Sequence, residues 1–142
     1  MKLLDTFNAL EDSGIIKDNL DSDIQQNLAF KLRPYQVEAI KRFDYYISEY
    51  KNRIFPSHLF YHMATGSGKT LIMAANIIQL YKLGYRNFVF LVNLTNILEK
   101  TKDNFINLSP QNKKYLFKHP VIINGTAVQI KEVNDFNYSS SE

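Results

Sequence analysis

The sequence contains no cysteine, which excludes disulfides and cysteine-ligated zinc and accords with a reducing, cytoplasmic setting. No apolar run comes near the ~20 residues that a helix needs to cross a bilayer, so no membrane partner is expected. The start, Met1-Lys2-Leu3-Leu4-Asp5, turns polar at once and lacks the apolar stretch of a secretory signal. Internal repeats are missing, and so is low complexity beyond Ser139-Ser140-Ser141. A strong excess of one charge is missing too: 17 Lys+Arg stand against 14 Asp+Glu, a net +3. The distribution says more than the sum. Residues 1–30 are acidic, whereas Lys100, Lys102, Lys113, Lys114 and Lys118 crowd one stretch. That stretch reads either as a solvated face or as a surface with weak affinity for phosphate groups.

What remains is an ordinary globular composition, 45% apolar over 142 residues, enough for one domain with a core. Residues 2–12 and 20–30 read as two short helices forming an N-terminal extension (residues 1–30). Pro34 suits a first helical turn, and Val37, Ile40, Phe43, Ile47 and Tyr50 then recur at helical spacing. Leu59 to Met63 reads as a buried strand. A helix over 69–83 follows, with a core face at Leu71, Ala74, Ala75, Ile78 and Tyr81 and a C-terminal cap at Gly84. Phe88 to Val92 is uninterrupted apolar sequence, the pattern of a strand covered on both faces. The order strand, helix, strand predicts a right-handed βαβ unit with a parallel sheet. A further helix carries Ile97, Leu98, Thr101, Phe105 and Leu108 on one stripe. Ser109-Pro110 predicts another short helix to about Phe117. Residues 121–123 and 127–130 flank Asn124-Gly125, a hairpin with a type I′ turn. Residues 134–142 read as a loose polar tail.

The most telling segment is His62-Met63-Ala64-Thr65-Gly66-Ser67-Gly68-Lys69-Thr70. It leaves a strand and opens a helix, as a phosphate-holding loop must. Gly66 and Gly68 let the backbone wrap closely around phosphate oxygens. The helix start adds partial positive charge. In that mechanism Lys69 reaches the β- and γ-phosphates and Thr70 places its hydroxyl on Mg²⁺. The usual pattern begins with glycine, where this sequence has Met63. A chance glycine turn before a helix is the bland alternative.

Ala64 to Thr70 resembles motif I of superfamily 2 helicases and translocases, in which Met-Ala-Thr-Gly-Ser-Gly-Lys-Thr is a common form. Leu32-Arg33-Pro34-Tyr35-Gln36 resembles the upstream signature of the same superfamily. That resemblance implies that Gln36 reads the adenine edge, a role suited to a carboxamide that donates and accepts together, with Arg33 in the same signature. Phe90 to Thr101 occupies the place of motif Ia, which implies backbone contacts of Asn93, Thr95 and Asn96 to one nucleic-acid strand. Residues 30–117 look most like the restriction (Res) subunits of type III restriction enzymes, with Asn96 to Phe105 and Lys114 to Phe117 carrying the likeness.

The resemblance thus implies an α/β fold, a partial RecA-like P-loop NTPase domain over residues 31–133. Thr65, Gly66, Ser67, Gly68, Lys69 and Thr70 are its phosphate loop, and ATP and Mg²⁺ its cofactors. Its implied partners are duplex DNA and a modification (methyltransferase) subunit. The strand-end acidic motif that relatives use to hold Mg²⁺ and activate water is not found. Glu132 and Asp135 read as surface residues. The chain is therefore expected to be the front part of a longer protein and inactive alone as an ATPase. Two other readings stay open: a non-catalytic P-loop remnant or interaction module, and another P-loop class such as a small kinase.

Overall fold

The computed structural model describes residues 3–16 and 19–133; the 134–142 tail and Asp135 lie outside the described residues. Among the described residues, five helices and one hairpin make up the regular structure: α1 (Leu3–Asp12), α2 (Ser22–Asn27), α3 (Pro34–Ser48), α4 (Lys69–Lys82), α5 (Thr95–Phe105), β1 (Val121–Ile123) and β2 (Thr126–Val128). Local chemistry explains their ends. Asp21 caps α2 by accepting from the Asp23 N–H at 2.8 Å. Pro34 stands at the start of α3. Helix α4 closes with Gly84 at φ +99°, Tyr85 N–H donating to Leu80 and Gly84 N–H to Tyr81, the paired bonds of a Schellman cap. Asn124 and Gly125 both take positive φ, as a type I′ hairpin turn requires.

Helices α3 and α4 pack together with α2, α5 and the hairpin around Ile24, Ile40, Ile72, Ala74, Ala75 and Ile78, with Phe105, Phe117, Val121 and Ile123. A separate cluster of Phe7, Ile16 and Tyr46 fastens α1 to α3, helped by Arg42, which holds Glu11 at 2.8 Å. On the α3–α4 seam the Gln79 side chain donates to Asp44. Burial pushes the Asp44 carboxyl above the usual carboxylate range, against the lowering effect of hydrogen bonds from Ser48 and Gln79.

Two expectations fail here. The parallel βαβ sheet is not formed among the described residues: 59–63 and 88–92 run without ladder partners, and the sheet consists of β1 and β2 alone, paired antiparallel. Each segment packs one side on the core, through Tyr61 and Met63 or through Phe90. The opposite sides are bare, with Phe60 90% and Leu91 91% exposed. Parallel strands are stable when covered on both faces and flanked by neighbours, and neither condition is met. The short helix after Ser109 is also absent. The Asn112 side chain instead donates to the carbonyls of Asp103 and Asn107 and accepts from the Lys114 N–H. Such side-chain bonds compete directly with helical ones.

Asn27, only 2% exposed, ties α2 to β1. Its Nδ2 donates to the Ile122 carbonyl at 2.6 Å and its Oδ1 accepts from the Ile122 N–H at 2.7 Å, as a neighbouring strand would. Asn27→Ala leaves both backbone groups without partners, so a loss of about 2–3 kcal/mol is expected in urea unfolding. A loss below about 0.5 kcal/mol would show that this tie contributes nothing.

Candidate nucleotide site

The chain from Met63 to Lys69 makes a tight loop that delivers α4. Ser67 N–H and Oγ both donate to the Ala64 carbonyl, at 3.3 and 2.6 Å. Gly66 and Gly68 sit at φ +78° and +82°, a region that costs an L-residue about 1–2 kcal/mol. Gly68 is the N-cap of α4. The N–H groups of Gly66, Gly68, Lys69 and Thr70 have no acceptor among the described residues, a cluster of free donors at a helix start that suits anionic oxygens. Lys69 lies folded on its own loop, Nζ donating to the carbonyls of Met63 and Ala64 at 2.9 Å each.

The upstream segment reaches this loop in space. Gln36 is 3% exposed. Its Oε1 accepts from the Arg33 N–H at 2.8 Å and its Nε2 donates to the Ser67 carbonyl at 2.9 Å. The Tyr35 hydroxyl donates to the same carbonyl at 2.8 Å, and Arg33 donates to that hydroxyl at 3.2 Å. A Cβ on Gly68 would stand 2.3 Å from Gln36 Nε2. A side chain at 68 would therefore displace this amide, in addition to straining the backbone.

A cavity of about 550 Å³ opens between the loop and the first turn of α3, within the size range of small-molecule sites. Arg33, Gln36, Gly66, Ser67, Gly68 and Thr70 line it, so the structure brings six of the expected nucleotide-site residues together. Thr65 and Lys69 belong to the loop but do not line the cavity. Asn93, Thr95 and Asn96 are exposed and stand apart from it. Its walls also include Phe30, Lys31, Asn104, Lys113 and Lys114, which sequence reasoning missed as site residues. The basic run containing the last two was the available signal. Lys31, Arg33, Lys113 and Lys114 make the lining cationic, with no Asp or Glu in it. Glu132 instead pairs with Lys102 at 2.9 Å.

Free donor groups, a cationic lining and a buried carboxamide thus meet at one cavity. The family profile described as "Type III restriction enzyme, res subunit" matches residues 29–139. This chain belongs to that family. It is similar to the "Probable type III restriction-modification enzyme HindVIP Res subunit" of Haemophilus influenzae (strain ATCC 51907 / DSM 11121 / KW20 / Rd), with 35% identity over 122 residues. The match covers 80% of this chain and 23% of that Res subunit, so the chain spans about a quarter of its relative's length. No solved structure matches. The matched region takes in both the 64–70 loop and the Arg33–Gln36 segment. For this Res-family chain, Gly68→Ala is expected to cost about 1–2 kcal/mol in thermal or urea unfolding, from backbone strain. Displacement of the Gln36 amide should add to that loss. An unchanged unfolding midpoint would mean that the loop does not hold this geometry.

Proposed function

We propose that this chain is the ATP-binding front part of a Res-type, ATP-dependent DNA motor of a restriction-modification system. The observation that carries the reading is the set of free N–H groups at Gly66, Gly68, Lys69 and Thr70, on a loop of which Gly66, Gly68 and Thr70 line a 550 Å³ cationic cavity. In this reading the loop donates to phosphate oxygens. Lys69 exchanges the Met63 and Ala64 carbonyls for the β- and γ-phosphates, a swap of neutral acceptors for anionic ones that strengthens each bond. Thr70 supplies the hydroxyl for Mg²⁺. Gln36 reads the adenine edge, with Arg33 beside it. When bound, the nucleotide supplies a phosphoanhydride whose hydrolysis drives the motor.

Residues 31–133 form the nucleotide-binding unit, a partial RecA-like domain. Residues 1–30 are an extension packed on it, and 134–142 are a tail. In the complete protein the bare sides of 59–63 and 88–92 are covered, and the two segments become parallel strands of a larger sheet. Asn93, Thr95 and Asn96, at the exposed start of α5, contact the backbone of duplex DNA. A modification subunit is the partner, and the cytoplasm the setting, as the Res likeness suggests.

Calorimetry with Mg-ATP tests the core of this reading. Lys69→Ala should weaken binding at least tenfold, through loss of a charge-assisted contact worth about 1.5–3 kcal/mol. Equal affinity in variant and parent would refute the phosphate role. A reading as a binding-only P-loop module has one specific support: no carboxylate lines the cavity. Steady-state ATPase assays of the full chain, with and without duplex DNA, are accordingly expected to show background rates. A DNA-stimulated rate well above background would mean that a catalytic carboxylate is present and overlooked.

A further inference from the structure

The third wall of the cavity has no role in the reading above. It is the turn from Lys113 to Leu116 together with Asn104 at the end of α5. Three backbone hydrogen bonds fix it. Leu116 N–H donates to the Asn104 carbonyl at 2.9 Å, Ala29 N–H to the Leu116 carbonyl at 2.9 Å, and Lys118 N–H to the Asn27 carbonyl at 2.7 Å. A bridge between Leu28 and Phe117 completes the seam. This wall is thus fastened to the segment that leads through Phe30 and Arg33 to Gln36, the residues assigned to the base in the proposed function. Its lysines differ from Lys102 of the same basic run. Lys102 is neutralised by Glu99 and Glu132 at 3.7 and 2.9 Å. Lys114 has only a long 3.8 Å approach to Asp103. Lys113 has no hydrogen-bond or ion-pair partner among the described residues and lines the cavity. Both ammonium groups are exposed on a fixed wall of a cavity whose lining holds no carboxylate, so they are placed to meet an entering anion.

We infer that Lys113, with Lys114 beside it, is a nucleotide-binding residue that faces the ribose and α-phosphate of the nucleotide seated on the 64–70 loop. The inference rests on the phosphate-loop reading and extends it. The first two walls engage the base and the outer phosphates, and this wall supplies the charge between them. Because the α-phosphate is common to ATP and ADP, the contact contributes equally to both. Lys69 favours the nucleotide that carries a γ-phosphate.

Displacement of a fluorescent ATP analogue from the full chain by ATP and by ADP, in the presence of Mg²⁺, separates these roles. Lys113→Ala should weaken ATP and ADP by the same factor, about three- to tenfold, and Lys113→Arg should restore both. The double variant with Lys114→Ala should weaken both further. Lys69→Ala, in contrast, should weaken ATP more than ADP. Both lysines are exposed on a turn, so far-ultraviolet circular dichroism of the variants should superimpose on the parent's. If Lys69→Ala weakens ATP while the Lys113/Lys114 double alanine variant binds ATP and ADP as the parent does, this inference fails and the phosphate-loop reading stands. A loss confined to ATP in Lys113→Ala would also overturn it, by placing the lysine at the γ end. A parent chain that binds no nucleotide would remove both.

Discussion

The Gln36 side chain is the hinge on which the site depends. One planar amide spans two segments 31 residues apart in sequence, accepting from the Arg33 N–H and donating to the Ser67 carbonyl. Because it is buried, each bond operates in a medium of low dielectric, where leaving either end unmade is costly. The amide thereby fixes the start of α3 against the phosphate loop and sets the backbone of Gly68 at a distance that admits no side chain. Any movement of α3 is transmitted to the loop, and any distortion of the loop to α3.

This coupling has a chemical consequence. Gln36 and Lys69 both satisfy their polar ends on loop carbonyls. A nucleotide that takes up either group must therefore replace an existing hydrogen bond. The gain is the difference between a neutral carbonyl and an anionic oxygen, or between Ser67 and a base edge. Differences of that kind give selectivity, because a ligand lacking the matching group leaves the buried Gln36 amide worse placed than before. The loop is thus held closed by its own carbonyls.

The rest of the architecture is lopsided. The core lies between α2, α3, α4, α5 and the hairpin, and the segments 59–63 and 88–92 touch it from one side only. Their outward residues, Phe60 and Leu91 above all, are almost wholly exposed. The loop is nevertheless well placed, because α4 is anchored by Leu71, Ile72, Ala74, Ala75 and Ile78 and Asn76 reaches the Tyr61 hydroxyl at 3.1 Å. Helix packing rather than sheet pairing positions the site.

Local sequence chemistry determined much of this protein. Pro34, Gly84 and Asn124-Gly125 marked where elements begin, end or turn, since each acts through its own φ/ψ limits. Apolar spacing gave the buried faces of α3 and α4, and the Gly66-to-Thr70 run marked a tight glycine turn opening a helix. Whether apolar runs become strands was beyond local sequence, because Phe60 and Val92 carry strand propensity but not the neighbours that a parallel sheet needs. The segment after Ser109 looked helical until Asn112 found the carbonyls of Asp103 and Asn107. Most of all, tertiary structure decided that a glutamine 31 residues upstream would latch the loop, and that Lys113 and Lys114 would line the same cavity. Those meetings depend on how α3, α4 and α5 pack around a shared core. Packing is a property of the whole chain, which no short window of residues contains.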